Sequence, residues 1–276
     1  MKKDLYSIEG KVLKQVELPK QFNEPVRHDL IKRAVLAIHS SKRTPYGADP
    51  EAGKRSSSIL SKRRRRYRGS YGRGISRSPR KVLTKRGSQF YFVGAFAPNT
   101  VGGRRSHPPK SGKKWLLEIN KKERRKAIRS ALAATIDESL VKARGHKVEK
   151  IPSIVESKIE NISKTKEIKQ VLFSLGLKEE LLRVSKKKVR AGRGKLRGRK
   201  YKVKTGPLLV VSKNCPLEKS AVNMLGVDVC QIKDINAELL APGTIPGRLT
   251  VYTEDALKIL EEKKLFTNEK VREDKK

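Results

Sequence analysis

Acid is what this chain lacks where its charge is densest. Between Lys42 and Lys114 stand 21 Lys or Arg against only Asp49 and Glu51, and between Arg183 and Lys204 stand 12 Lys or Arg and no acid. A metal-dependent nuclease needs clustered carboxylates to hold its ions, so the two segments best suited to nucleic acid are the ones least able to cut it. Cysteine is nearly absent as well. Cys215 and Cys230 are too few for a disulfide framework and lack metal-ligand spacing, which leaves reduced, buried thiols in a cytosolic protein as the expectation. Aromatic residues make up 5% of the chain, which argues against a single-strand binder built on stacking platforms and for one that grips phosphate. No stretch approaches 18 apolar residues, and Met1 to Gly10 carries Asp4 and Glu9 without an apolar run, so neither a membrane span nor a signal peptide is expected.

Catalytic patterns are missing too. His28, His39, His107 and His146 are not spaced as metal ligands and read as surface or packing residues. No G-x-x-x-x-G-K-[ST] loop occurs, and Gly192-Arg-Gly-Lys-Leu-Arg-Gly198 has neither the spacing of a dinucleotide loop nor an apolar strand leading into it. The expectation is a protein that is not an enzyme, with no catalytic residues, no cofactor and no metal.

What the chain does have is concentrated positive charge. Its net charge is +39, of which Lys42 to Lys114 holds +19 and Arg183 to Lys204 holds +12, leaving +8 for the other 181 residues. That distribution fits a globular body with two basic extensions better than a generally basic domain. The first extension also holds 10 of the 20 glycines and 6 of the 13 prolines, and reads as neither helix nor strand. Like-charge repulsion should keep it extended until a polyanion neutralises it, and nucleic acid is the most economical polyanion. With about 36 residues out and as many back, its reach is bounded near 120 Å.

The remaining chain reads as an α/β body. Leu5–Ile8 and Lys11–Leu18 flank Gly10 as a hairpin. A helix is expected from Pro25, its stripe formed by Val26, Leu30, Ile31, Ala34, Val35 and Ile38. A second begins at Asn120, with Glu123 completing a capping box and Ile128, Ala131, Leu132, Thr135, Ile136 and Leu140 buried. Lys121, Lys122, Arg124, Arg125, Lys126 and Arg129 oppose that helix's dipole, which points to an external anion. Strand-length apolar runs at 151–155, 208–211, 227–232 and 249–252 then alternate with helical patterns at 164–175, 217–225 and 254–265. Such alternation predicts a parallel sheet covered by helices. The expected division is a globular body at 1–41 and 115–265, an extended loop at 42–114, a second basic arm at 183–204 within the body, and a charged tail at 266–276.

In the excursion the cations expected on phosphate are Arg43, Lys54 and Arg55, then the run Lys62, Arg63, Arg64, Arg65, Arg66 with Arg68, and later Arg80, Lys81, Arg104, Arg105 and Lys110. In the second arm they are Lys188, Arg190, Arg193, Lys195, Arg197, Arg199 and Lys200. Arginine's planar fork suits bidentate phosphate contacts, and glycine lets backbone approach a ligand. The apolar patch Phe90–Phe96 reads as a docking surface against neighbouring structure, with stacking on unpaired bases as the alternative. Lys62–Arg66 would serve as a nuclear-import signal, but that leaves the other cations unused. A stand-alone chromatin-like, nucleic-acid-compacting protein is the alternative, disfavoured by the absence of a recognisable DNA-reading helix.

An ordered set of motifs carries a resemblance: Pro25-Val-Arg-His-Asp-Leu-Ile31, Tyr46-Gly-Ala-Asp-Pro-Glu-Ala-Gly53, Ser70-Tyr-Gly-Arg-Gly74, Ser106-His-Pro-Pro-Lys110, Arg129-Ser-Ala-Leu-Ala-Ala-Thr135, Arg144-Gly-His146, Arg190-Ala-Gly-Arg-Gly194 and Ala241-Pro-Gly-Thr-Ile-Pro-Gly-Arg-Leu-Thr-Val251. Almost end to end, the chain resembles the large-subunit ribosomal protein four family in its archaeal form. The resemblance implies a structural constituent of the large ribosomal subunit in the cytoplasm, a primary binder of 23S-type rRNA that helps assembly. It also implies neighbouring ribosomal proteins and the nascent polypeptide as partners, with no membrane and no homo-oligomer. The loop tip would line the polypeptide exit tunnel; here that is Tyr71, Gly72, Arg73, Gly74, Ile75 and Arg77. Relatives often place arginine where this chain has Ile75, so Arg73 or Arg77 would present the tunnel's charge, and Lys62–Tyr67 looks like an insertion before the tip.

Overall fold

The computed structural model describes residues 1–66, 69–87 and 89–268. By internal contacts the chain divides into two compact units, Met1–Lys42 with Leu116–Lys276, and Arg43–Trp115. In chain order the elements are β1 (Lys2–Tyr6), β2 (Val12–Glu17), α1 (His28–Ser41), β3 (Arg80–Arg86), β4 (Gln89–Gly94), α2 (Lys121–Ile136), α3 (Glu138–Ala143), β5 (Ile154–Val155) and α4 (Thr165–Ser174). They continue with α5 (Lys178–Ser185), β6 (Lys188–Val189), β7 (Tyr201–Lys202), β8 (Leu208–Val211), α6 (Pro216–Ala221), β9 (Asp228–Gln231), α7 (Ala237–Leu240), β10 (Thr250–Thr253) and α8 (Glu254–Glu262).

The first unit is an α/β body around a six-stranded sheet in the order β2-β1-β5-β10-β8-β9. Only β2, on the edge, runs antiparallel; Leu5 pairs with Ile154, Ile154 with Tyr252, Thr250 with Leu208 and Leu208 with Asp228, all in parallel register. Parallel strands joined by crossover helices bury both faces, which is why their sequences are continuously apolar. Leu208 and Val210 join Leu5, Ile154 and Tyr252 in one core with residues of α1, α2, α7 and α8. Their neighbours Leu209 and Val211 join Val155 and Val251 in a second core with α4, α5 and α6 on the opposite face. The sheet therefore separates two hydrophobic layers, as the alternation of strands and helices predicts.

Local start signals are reset by tertiary contacts. The expected helix at Pro25 begins only at His28, because Ser130 Oγ of α2 donates to Pro25 O at 2.9 Å and accepts from the Arg27 amide at 2.6 Å, holding the chain extended there. Asn120 does cap α2 by position, but its side chain accepts no helical amide. The expected capping box does not form; Glu123 instead accepts from Arg33 Nη1 of α1 at 3.2 Å. At the carboxyl ends of β8 and β10 the buried Glu160 accepts from Ser212 N (2.9 Å), Ser212 Oγ (2.7 Å) and Thr253 Oγ1 (2.7 Å). Parallel sheets of this kind commonly take ligands outside those ends. Here the chain's own carboxylate occupies the donors.

The second unit differs from expectation. Residues 42–114 read as neither helix nor strand, yet β3 and β4 form an antiparallel hairpin, Lys81 opposite Val93 and Val82 opposite Phe92, with an irregularity between Val82 and Thr84. β3 alternates neither in sequence nor in burial, with cations at both ends and Val82 and Leu83 both exposed, whereas β4 alternates exposed and half-buried residues.

Candidate nucleic-acid interface

The second unit is laced limb to limb. Ala48 N donates to Pro109 O at 2.8 Å, Ile59 and Arg80 exchange backbone hydrogen bonds, and Arg104 N donates to Phe96 O at 3.4 Å. Several glycines permit close approaches, Gly53 and Gly103 among them. A Cβ on Gly53 would lie 2.6 Å from Arg104 Cα, and Gly53 also has φ +72°; a Cβ on Gly103 would lie 2.0 Å from Ala97 O. These glycines serve contact of backbone with backbone, rather than the approach to a ligand that composition suggests. Gly72 and Gly74, by contrast, have φ +79° and +67° with nothing near, and form an open turn.

Aromatic rings collect cations. Arg43 Cζ lies 3.7 Å from the centroid of the Trp115 ring, which stacks on Tyr46 at 5.5 Å, and Lys113 Nζ lies 4.5 Å from Trp115. At the tip, Tyr71 meets Arg64 at 5.2 Å and Arg77 at 4.7 Å. Arg104 lies 5.7 Å from Phe96. Each cation–π contact is worth about 0.5–1 kcal/mol at an exposed site and fixes the direction in which the guanidinium points.

The sequence-expected phosphate ligands fall into two groups. Arg55 pairs with Asp49, Arg80 donates to Ser76 O (2.5 Å) and Ser78 O (3.3 Å), and Arg43, Arg64 and Arg104 lie against rings as described. Lys54, Lys62, Arg63, Arg65, Arg66, Arg105 and Lys110 are exposed, and Lys81 is half-buried. Arg68 lies outside the described residues, as does Tyr67. At the tip Gly72, Arg73, Gly74 and Arg77 are exposed while Tyr71 and Ile75 are half-buried.

In the first unit a second basic projection is closed by β6 pairing with β7, a turn through Gly192–Arg197, and Gly198 at φ +75°. Arg190 is spent inside it, donating through Nε to Arg199 O (3.0 Å) and through Nη2 to Tyr201 O (3.3 Å). Lys188, Arg193, Lys195, Arg197, Arg199 and Lys200 are exposed. The projection begins at Lys186; Arg183, read as its first cation, belongs to α5 and points inward. Arg183 donates to Glu180 at 2.6 and 2.8 Å and to Thr205 O at 2.7 Å, and His146 Nδ1 lies 2.7 Å from the same carboxylate. Burial pushes the Glu180 carboxyl up, but the hydrogen bonds from Arg183, His146 and the Lys147 amide outweigh it and hold the group down at about 2. The triad thus pins both roots of the projection.

Two further guanidiniums, Arg248 buried and Arg144 half-buried, tie neighbouring loops. Arg248 donates to Gly206 O (3.0 Å) and Leu239 O (3.0 Å) and pairs with Asp228. Arg144 donates to Pro242 O and Ile245 O, and burial, with Arg248 and Arg183 nearby, lowers its pKa to about 10. No sequence signal marked these structural roles beyond the motifs Arg144–His146 and Ala241–Val251. On α2 the expected external anion is partly internal: Glu24 takes Arg129 (2.9 Å) and Lys126 (3.5 Å). Arg129 and Arg125 also donate to Phe266 O (2.8 Å) and Thr267 O (3.1 Å), so the expected charged tail is tied down at its start, and residues 269–276 lie outside the described residues. Lys121, Lys122 and Arg124 remain exposed. Burial raises the pKa of both Cys215 and Cys230, which keeps the thiols protonated. Among the described residues no three or more His, Cys, Asp or Glu cluster as metal ligands, and no helix is long and apolar enough to cross a membrane.

Fold and charge distribution define a class first: a basic α/β protein whose positive charge is concentrated on acid-poor segments. The chain belongs to the ribosomal protein L4/L1 family, which matches residues 16–263, a family of structural rather than catalytic proteins. It is 52% identical to the large ribosomal subunit protein uL4 of Nanoarchaeum equitans over 267 residues, covering 96% of this chain and all of that one. It is 43% identical to the proteins of the same name from Methanosphaera stadtmanae (93% of this chain, 95% of that one) and Archaeoglobus fulgidus (95% and 99%).

Proposed function

We propose that this protein is a structural constituent of the large ribosomal subunit in the cytoplasm, binding 23S-type rRNA through the second unit and the projection at 186–204. One observation carries the reading: +31 of the net +39 is gathered on two acid-poor segments whose cations meet almost no carboxylate, while cations of the body such as Arg129, Arg183 and Arg248 are paired internally. Exposed guanidiniums on phosphate position RNA without reading its sequence. The turn Ser70–Arg77 lines the exit tunnel and meets the nascent polypeptide, with Arg73 presenting the charge, since Arg77 lies against Tyr71. Neighbouring ribosomal proteins pack alongside, and the chain acts as one copy per subunit.

Each phosphate contact adds about 0.7–0.9 to the slope of log affinity against log salt. Alanine at all five positions Lys62–Arg66 should therefore lower the slope for rRNA fragments by about 4 and slow subunit assembly; an unchanged slope overturns the assignment. Co-sedimentation with large subunits, not with chromatin, is the companion result. Gly72→Trp should obstruct the tunnel and alter nascent-chain passage, and normal translation by such ribosomes removes the tip from the tunnel.

A further inference from the structure

The hairpin face that carries Arg80, Val82, Phe90 and Phe92 does not close on itself. With Ile59 and Leu60 from the outgoing limb and Ser57, Ser70 and Ser78 it encloses a cavity of about 130 Å³. A cavity of about 150 Å³ lined by Leu, Ile and Phe holds one benzene ring, so this one is sized for a single six-membered ring. Its setting is unusual for a fold core. Ala95 is the one buried hydrophobic residue among those described in the unit, and Ile59 is 54% exposed. The concavity has one apolar wall and one polar wall and is set in a strongly cationic segment of the chain.

We propose that this cavity is a binding site for an unstacked pyrimidine base presented by single-stranded RNA. It deepens, and rests on, the reading of the second unit as RNA-binding. The phenyl rings of Phe90 and Phe92 and the side chains of Val82 and Leu60 supply the apolar contact for a π face. The polar wall offers donors in the part of the Arg80 guanidinium not taken by the Ser76 and Ser78 carbonyls and the Ser76 hydroxyl, and in the Ser57 hydroxyl, while Ser70 Oγ donates to Ser61 O at 3.3 Å and Ser78 Oγ lies 3.2 Å from Ser76 Oγ. Donors of that kind complement the two carbonyl oxygens of uracil; adenine also has acceptor ring nitrogens, but its exocyclic amine would face the donors with a donor. A purine's second ring would also exceed the volume. The unit would then carry one sequence-selective contact among many phosphate contacts that read no sequence.

The test compares oligouridylate and oligoadenylate of equal length, which carry the same charge, on the full chain at one salt concentration. A base stacked in a protein site changes affinity on the order of tenfold. The expected result is oligouridylate binding tighter by about that factor, with the preference abolished by Val82→Phe, which fills the cavity, and kept by Leu83→Phe at the next position, which does not line it. The salt slope should be the same for wild type and both variants. Free uridine, which has no phosphate, should show saturation transfer from wild type that is lost in Val82→Phe and unaffected by inorganic phosphate. Equal affinity for the two oligonucleotides, a preference that survives Val82→Phe, or uridine that makes no contact each overturns the pocket. A lost salt slope with uridine still bound would instead overturn the phosphate reading, so the two failures are distinguishable.

Discussion

The body and the second unit obey different physics. The body buries whole side chains on both faces of its sheet; Leu5, Ile31, Leu132, Ile154, Leu172, Leu208 and Tyr252 are all essentially inaccessible. The second unit has almost no such core. What holds it are a hairpin, backbone lacing through close glycine approaches, and rings that gather cations. Dense like charge opposes its compact state. A hydrophobic layer is stable on its own terms, whereas an arrangement of this second kind gains most of its stability when an anion removes the repulsion.

The largest expected effect tests that contrast directly. Leu132→Ala should cost the body about 2–5 kcal/mol, read as a lowered urea midpoint by circular dichroism. Ile59→Ala, a similar truncation in the second unit, should shift the same midpoint by less than about 1 kcal/mol, since its side chain is already half in water. Equal losses would mean the two units share one cooperative core.

Next in size is the acid dependence of the buried triad. Glu180 is held at about 2, below the ordinary glutamate range near 4.3. Its contribution is therefore fully present above about pH 4.3 and is lost as pH falls through about 2. That linkage is worth on the order of 2–3 kcal/mol. Glu180→Gln should be less stable at neutral pH, and its difference from wild type should shrink over that window; a constant difference down to pH 2 breaks the assignment. Because Arg183 also holds Thr205 O, amide exchange at the roots of β6 and β7 should rise in the variant before the rest of the body is affected.

A smaller, local effect is expected from Gly53→Val. Its Cβ would press on the Arg104 backbone at a left-handed φ, a strain of about 1–3 kcal/mol, enough to part the limbs. Trypsin should then cut between Arg43 and Trp115 faster in the free protein, while the body's melting temperature stays unchanged. If rRNA fragments restore protection, neutralised charge offsets the lost lacing.

Much of the body was legible because its two periodicities are uninterrupted: the stripe of α1, the buried face of α2 and the apolar runs at β8 and β10 each announce their element. What was hidden depends on partners distant in sequence. Ser130 delays α1, and Arg33 takes the Glu123 that a capping box would have used, neither of which a local pattern encodes. The helix α5 was obscured because Arg183 looks like the start of a basic run until Glu180 and His146 are seen beneath it. In the candidate interface the cations were visible as composition, but not which of them are spent. Arg190 on carbonyls, Arg55 on Asp49 and Arg43 on Trp115 are distinguished from exposed Arg63 or Arg105 only by geometry.

The smallest effect is also the most direct probe of the second unit, since Trp115 is the chain's one tryptophan. Arg43 lies over its ring and Tyr46 stacks beside it. Arg43→Ala removes a cation–π contact of about 0.5–1 kcal/mol, too little to move the body's unfolding midpoint. The indole should nevertheless become more accessible to iodide, with emission shifted to the red. If Arg43 instead leaves the ring to meet phosphate, RNA should produce the same shift in wild type and none in the variant. A shift on RNA binding that is equal in both would mean the indole responds to RNA independently of Arg43, and Arg43 would then be a structural cation of the second unit rather than a ligand of phosphate.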